Sequence, residues 1–149
     1  MISSPARVSL ILLPLVVLGA CGDAAGPPQE PGISRELADH RARTLSEITY
    51  EISLEIPGDR ARPLEGRTTI LFTWRDPEGH PLVVDFKDPD ERVRWVRVNG
   101  DEVAWRGEAD HVVIPSNRLT EGENRVELAY AAGDEALNRS DDFLYTLFV

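Results

Sequence analysis

The sequence predicts an all-β fold: an antiparallel β-sandwich or saddle-like domain with a short N-terminal helix, preceded by a signal peptide and a flexible linker. Three observations support this class. From about residue 46 onward apolar and polar residues alternate, turn signals separate the alternating runs, and the first 32 residues have a different composition. A chain of 149 residues that is 42% hydrophobic has room for one domain with a buried core.

Residues 1–20 follow the plan of a secretory signal peptide. Arg7 precedes an apolar stretch at residues 8–18, which is shorter than the roughly 20 residues that span a bilayer. The small residues that follow lead to Cys21 in "LGAC", which resembles the bacterial lipobox, so we expect Cys21 to be lipidated. An ordinary cleaved signal peptide with an incidental cysteine is the alternative.

The segment 21–32 is rich in Gly, Pro and Ala and predicts a flexible tether between a lipid anchor and the domain. As the only cysteine, Cys21 cannot form an internal disulfide, which fits a lipid anchor. We therefore expect a protein of the bacterial cell envelope that reaches the membrane through Cys21. Gly22 follows the cysteine where an aspartate would favour the inner membrane, so the outer membrane is preferred.

Residues 33–149 form the predicted β-domain. Ser34 is placed to cap a short helix over about 34–43, with Glu36 near its positive end. The period then changes to two, and Asn99-Gly100 predicts a type I′ hairpin. The strands are predicted in "EITYEISLEI", "GRTTILFTW", "LVVDF", "RVRWVRV", "HVVIP" and "NRVELAY", the last after a tight turn in "LTEGEN".

The sequence offers little evidence for chemistry within this chain. His40, His80 and His111 lie far apart along the chain without a compact metal-ligand spacing, so no metal site is predicted and His80 is expected to be solvated. The net charge of −10 argues against nucleic-acid binding, which depends on Lys and Arg contacts to phosphates.

Acidic pairs and tryptophans have simpler explanations than ligand binding. Asp88 with Asp90 and Asp141 with Asp142 match no calcium-loop register and are expected to be solvated turn charges. A carbohydrate platform is a further possibility for the tryptophans, but Trp74 falls on an apolar strand face and is expected in the core. The other two flank the predicted hairpin, where they could pair across it: Trp95 and Trp105.

The order of these segments resembles the N-terminal β-domain of the aminopeptidase N family of zinc metallopeptidases. The resemblance covers about residues 37–149, and its most specific segments are "VNG", "IPSNRLTEGENRVELAY" and "DDFLYTLF". It implies a saddle-like domain that packs against a thermolysin-like catalytic domain and helps to enclose the active site. The HExxH zinc motif and the GxMEN motif of that family are absent from this sequence.

One functional position of that family falls within the chain. Many members read Tyr-Thr-Gln-Phe-Glu at the segment that here is "YTLFV", and the final acidic or amide side chain helps to bind the substrate's α-amine. Val149 stands at that position and can neither neutralise an ammonium nor accept its hydrogen bond. We therefore expect Val149 to pack in a strand, and we assign no catalytic, substrate-binding or metal-binding residue.

The resemblance implies that this chain is part of a zinc aminopeptidase, with the catalytic domain beyond the apolar run "SDDFLYTLFV". Zinc and a covalently linked catalytic domain are expected for the full-length protein, and no cofactor is expected in this chain. The β-domain alone should be inactive. The alternative is a free-standing, lipid-anchored β-sandwich that binds a ligand or protein without catalysis.

Overall fold

The computed structural model describes Gly26 and residues 30–133, 137–140 and 142–146. The predicted signal peptide, Cys21, Asp141 and Val149 lie outside the described residues. Within them the fold is antiparallel β-structure with one α-helix, as predicted, and two short 3₁₀ helices at Asp90–Arg92 and Ser116–Arg118. Its helix is α1 (Arg35–Thr44), and its strands are β1 (Leu45–Glu55), β2 (Leu64–Trp74), β3 (Leu82–Asp85), β4 (Val93–Val98), β5 (Asp101–Glu102), β6 (Arg106–Glu108), β7 (His111–Ile114), β8 (Gly122–Ala132), β9 (Leu137–Arg139) and β10 (Leu144–Thr146).

Helix α1 begins as the sequence predicts. The hydroxyl of Ser34 accepts a hydrogen bond from the backbone N–H of Leu37 at 3.1 Å, which satisfies one of the free donors at the helix start. Leu37, His40 and Thr44 face inward at helical spacing. At the other end, the N–H of Arg75 donates to the carbonyl of Thr44, so the helix is joined to the end of β2.

The strands form a large sheet, a small sheet and a separate hairpin, all with antiparallel neighbours. The large sheet has the order β1-β2-β8-β4-β5, the small sheet has the order β3-β7-β6, and β9 pairs with β10. The two sheets enclose the hydrophobic core. It includes Ile70, Phe72, Trp74, Val96, Val98, Val126 and Leu128 from the large sheet and Leu82, Val112 and Ile114 from the small sheet.

Two turns follow the predicted chemistry. Asn99 and Gly100 have φ angles of 53° and 96°, the left-handed values that a type I′ turn requires at both central positions. The turn before β8 has Gly122 at φ 97°, and the side chain of Asn124 closes it with bonds to the backbone of Thr120 and Gly122. Asn99 Nδ2 also donates to Asn124 Oδ1 at 3.1 Å, so the two turns stabilise each other.

The structure differs from the sequence predictions in strands β6 and β1. Strand β6 has no alternating pattern and is not predicted. In β1, Glu47 has a φ of 54° within a break in the register with β2, which corresponds to a bulge. The predicted apolar face of β1 exists, but it is not covered by the small sheet: its members are Ile48, Tyr50, Ile52 and Leu54, with Ile56 directly after the strand, each at least 40% exposed.

Among the described residues, no helix is long and apolar enough to cross a membrane.

Candidate functional site

An apolar groove of about 610 Å³ lies along one side of the sandwich. The inner face of the large sheet forms its floor with Ile70, Phe72, Leu128 and Tyr130. One wall is β1, with Ile48, Tyr50 and Ile52, and the other is β3, with Val83 and Val84 followed by Phe86. We call this feature the β1–β3 groove.

The β1–β3 groove exists because the small sheet is narrower than the large one. Among the residues that the structure describes, both β1 and β3 are edge strands of their sheets, and each has a partner on one side only. Tyr50 pairs with Ile70 across the β1–β2 ladder, so it lies on the same inward face as the core residues. It is nevertheless 60% exposed, because no strand of the small sheet lies opposite β1.

Charged side chains border one end of the groove. The guanidinium of Arg41 on α1 donates to both carboxylate oxygens of Asp85 and to the carbonyl of Val83, at 2.5, 3.1 and 2.9 Å. Asp85 also lies 3.3 Å from Nε2 of buried His111. These contacts hold α1 against the edge of β3.

A second candidate site lies where α1 meets the turn between β2 and β3. His40 comes from α1, and Asp76 and His80 come from the turn. One nitrogen from each ring and one carboxylate oxygen all lie within 4.8 Å of one another. We call these three residues the His–Asp cluster.

The cluster is built by the turn sequence "DPEGH". The carboxylate of Asp76 accepts hydrogen bonds from the backbone N–H groups of Glu78 and His80, at 3.0 and 2.7 Å, while Gly79 takes a φ of 74°. This closes the turn and places Nδ1 of His80 3.2 Å from Oδ2 of Asp76. The His80 ring then packs edge-on against His40, with centroids 5.0 Å apart.

The interior of the cluster is nearly closed to solvent. The side chains of Asp76 and His40 are 2% and 8% exposed, and Nε2 of His40 lies 4.0 Å from Oδ2 of Asp76. Within the described part of the chain, this buried nitrogen has no hydrogen-bond partner. Leaving such an atom without a partner costs about 1–3 kcal/mol.

Electrostatics keep His40 and Asp76 in the forms that bind cations. Burial lowers the pKa of His40 below its ordinary 6.5, although the charge of Asp76 opposes this shift. Burial acts to raise the pKa of Asp76, but the hydrogen bonds from the backbone of His80 and Glu78 outweigh it, so this pKa lies below its ordinary 3.8. At neutral pH the cluster therefore presents a carboxylate and an uncharged His40 imidazole.

The structure changes the interpretation of the histidines. His40 and His80 lie far apart in sequence but in contact in space, and His80 is not solvated, because its side chain is only 13% exposed. His111 does not join them and instead contacts Glu108 and Asp85. Asp76 was missed by sequence reasoning, and its only local signal is the four-residue spacing to His80 in a turn.

The acidic pairs and tryptophans are placed as follows. Asp88 is less solvated than expected, since it accepts from the backbone N–H of Gly133 at 3.0 Å, whereas Asp90 is exposed. Asp142 is exposed. Trp74 is in the core, as predicted.

Trp95 and Trp105 have different neighbours and do not pair across the hairpin. Trp95 contacts the guanidinium groups of Arg67 and Arg97, which lie over its ring at 5.3 and 4.4 Å from the centroid. Trp105 packs against the core. The reason is the register of β4, which turns Trp95 away from the small sheet.

No protein-family model matches the chain, and a search of curated proteins also finds no match. Among solved structures, the chain is similar to M1 zinc metallopeptidases. One from Deinococcus radiodurans, a variant bound to a Tyr-Ser-Ala substrate, is 27% identical with a TM-score of 0.40, over 60% of this chain and 21% of that one.

Two further structures are variants of a two-domain M1 zinc metallopeptidase. The one bound to L-tryptophan is 27% identical with a TM-score of 0.43, over 64% of this chain and 23% of the other. The one bound to L-arginine is 26% identical with a TM-score of 0.41, over 66% and 22%. The chain thus spans less than a quarter of the length of each of these structures.

Proposed function

We propose that this chain is the N-terminal β-domain of an aminopeptidase-N-like zinc metallopeptidase. In that protein a separate catalytic domain would hydrolyse N-terminal residues from peptides, with its zinc polarising the scissile carbonyl and activating water. The β-domain would act as a scaffold and as a wall of the substrate cleft. The order in which the segments from "LADHRARTL" to "DDFLYTLF" follow one another along the sequence supports this assignment.

The observation that carries the scaffold role is the uncovered inner face of β1. Ile48, Tyr50, Ile52 and Leu54 form a continuous apolar row that is 46–62% exposed. An apolar surface of this extent on an edge strand is typical of a face that packs against more protein. A further segment of the same polypeptide, lying beside β3, would cover β1 and complete the sandwich.

The same proposal places the protein at the bacterial cell envelope through lipidation of Cys21. Several acyl chains on one cysteine hold a protein at a membrane stably, because each buried methylene contributes about 0.8 kcal/mol. Replacing the cysteine, Cys21→Ser, should move the protein from the membrane fraction to the soluble fraction. Retention of the variant in the membrane fraction would contradict a lipid anchor at this residue.

Capture of the native protein tests the enzymatic assignment. An antibody raised against residues 30–133 is used to precipitate the protein from its source cells. We expect a band well above the 16.6 kDa of this chain, together with hydrolysis of an aminoacyl substrate that a chelator abolishes. Residues 22–149 expressed alone should show no such hydrolysis. A native band at or below 16.6 kDa without activity would contradict the proposal.

A free-standing binding module is the second candidate, and the volume of the β1–β3 groove favours it. Pockets that hold small ligands have volumes of about 300–1,000 Å³, and this groove lies in that range. A module of this kind would be monomeric and would bind an apolar ligand without catalysis. The same precipitation distinguishes the two, because the module predicts a small, inactive protein.

A further inference from the structure

We propose that the His–Asp cluster binds one divalent transition-metal ion of the zinc class. His40 supplies Nε2, His80 supplies Nδ1 and Asp76 supplies Oδ2. All three ligands of this site belong to the β-domain itself. It therefore holds or fails independently of the peptidase assignment.

The environment of His80 fits a cation between its ring and Asp76. Its Nδ1 lies 3.2 Å from Oδ2 of Asp76, and its Nε2 lies 3.4 Å from Oε2 of Glu78. A neutral imidazole has one N–H and can donate to only one of these carboxylates. If it donates to Glu78, the lone pair of Nδ1 faces the buried carboxylate of Asp76, and the two atoms can then act together as ligands of one metal ion.

The contact to Glu78 has the form of an outer-shell interaction. Metal-bound histidines commonly donate their second ring N–H to a carboxylate, which fixes the tautomer and the ring orientation. Glu78 is positioned for this role, with its carboxylate exposed and on the solvent side of the ring. The turn thus supplies two metal ligands and the group that orients one of them.

His40 supplies the second independent observation. Its Nε2 is buried, faces Asp76 at 4.0 Å and has no hydrogen-bond partner among the described residues. A metal ion would use the lone pair of this otherwise unsatisfied atom. Because Thr44 Oγ1 donates to the carbonyl of His40 within the same helix, the ligand stands on a well-formed turn of α1.

The donor set selects the class of metal. Two imidazole nitrogens and one carboxylate suit Zn²⁺, Co²⁺, Ni²⁺ or Cu²⁺, whereas Ca²⁺ and Mg²⁺ prefer oxygen ligands only. Tetrahedral zinc with bonds of about 2.0–2.1 Å separates its ligand atoms by about 3.3 Å. The 3.2 Å between His80 and Asp76 fits, and the 4.0 Å to His40 requires a small inward movement of that ring.

Metal binding would fasten α1 to the turn between β2 and β3. Three protein ligands leave a fourth position for water, and His80, at 13% exposed, is the most accessible of the three ligands. A ligand that binds the folded state alone stabilises it in proportion to the logarithm of its concentration. We therefore expect zinc to raise the melting temperature of the domain.

The test uses the full chain without a histidine tag, in a Cys21→Ser background that removes its only thiol. Calorimetric titration with ZnCl₂ should give one ion per chain, and Co²⁺ should give visible absorption bands typical of a tetrahedral site. The melting temperature should rise with zinc concentration. Titration with Ca²⁺ or Mg²⁺ should give no heat of binding, and neither ion should change the melting temperature.

Matched variants locate the site. Loss of an outer-shell partner typically weakens metal binding roughly 10–100-fold. His80→Ala in the turn and His40→Gln in the helix each remove a ligand and should weaken zinc binding by at least that factor. Glu78→Gln should give a smaller loss. Asp39→Asn is the matched control. The Asp39 side chain is 60% exposed and lies outside the cluster, although it is next to His40 in the sequence, so this variant should bind zinc like the parent chain.

Two results would overturn the proposal. The first is the absence of zinc binding and of a cobalt spectrum in the folded parent chain. The second is unchanged zinc affinity in His80→Ala, whose turn position leaves the core intact and whose folding is checked by circular dichroism. If His40→Gln fails to fold, the His80→Ala and Glu78→Gln pair still decides the outcome.

Discussion

Gly66 is required by a single aromatic neighbour. It pairs with Tyr130 across β2 and β8, and a Cβ atom at this position would overlap the tyrosine ring. The ring cannot move aside easily, because its hydroxyl is hydrogen-bonded to that of Thr68 at 3.0 Å and the ring packs in a T-shaped arrangement against Phe86. Gly66 therefore leaves space for the side chain of Tyr130 on the floor of the β1–β3 groove.

The substitution Gly66→Ala tests this close approach. An alanine usually stabilises a strand relative to glycine, but here overpacking should lower the free energy of unfolding by about 1–3 kcal/mol. Urea unfolding measures the change. Gly58→Ala is the matched control, because a Cβ there meets open space, and it should change stability by less than about 0.5 kcal/mol. Equal effects of the two substitutions would contradict the packing.

Glu127 is held ionised by its neighbours on the outer face of the large sheet. The hydrogen bond from Arg125, at 3.0 Å, lowers the pKa of Glu127 below its ordinary 4.5 despite the opposing effect of burial, and Arg67 and Arg97 add to the shift. Because the pKa in the folded state is the lower one, its stabilisation is complete above pH 4.5 and is lost as the pH falls through the folded value.

Glu127→Gln should therefore cause a small loss of stability at neutral pH that disappears in acid. The loss is small because Arg125 is partly exposed and the pair is screened by solvent. Urea unfolding at a series of pH values measures the difference from the parent chain. Glu123→Gln, an exposed carboxylate on the same strand, is the control. A constant difference across pH would show that the pair is not the cause.

At the scale of elements, β1 is the strand whose sequence and environment disagree. Its alternation predicts one buried face, yet Tyr50 and Ile52 are 60% and 62% exposed. The register of β1 on β2 is well defined apart from the bulge at Glu47, so the strand is correctly placed but uncovered. An uncovered apolar edge strand should make the isolated domain prone to self-association.

Ile52→Lys tests this expectation. The charge should reduce self-association and the fluorescence of a dye that binds apolar surfaces. The free energy of unfolding should change little, because the side chain of Ile52 is 62% exposed. Leu71→Lys is the control: Leu71 is 43% exposed but lies on the outer face of β2. If both variants reduce dye binding equally, the β1–β3 groove is not the surface responsible.

Local signals explain which elements the sequence could predict. Ser34 marks the start of α1, Asn99-Gly100 fixes a hairpin, and alternation locates β2 and β8, because each of these signals acts over a few residues. Strand β6 has no such pattern and exists only through pairing with β7. The exposure of β1 depends on the width of the opposite sheet, which no local pattern encodes.

The His–Asp cluster shows the same limit at a functional site. Asp76 and His80 lie four residues apart, and a turn predicts that they are close. His40 reaches them only because α1 ends beside β2, through the bond from Arg75 to Thr44. A contact of this kind depends on the tertiary fold. The sequence alone therefore does not show that His40 and His80 are in contact while His111 lies elsewhere.

At the scale of the whole molecule, a narrow small sheet facing a wider large sheet leaves an apolar groove between two edge strands. A domain with this shape is stable through its core but leaves apolar surface that further protein would bury. Burying a fully exposed large apolar side chain contributes about 1.5–3 kcal/mol, so even the half-exposed row on β1 would favour docking substantially. Under the proposed aminopeptidase-like assignment, a covalently linked domain would cover that surface.

The reading frame after the codon for Val149 tests this central claim most directly. Sequencing the gene at its source locus should show the frame continuing into further strand-forming sequence and then an HExxH motif with a downstream glutamate. A stop codon directly after Val149, in the native gene, would contradict the assignment and favour the free-standing binding module.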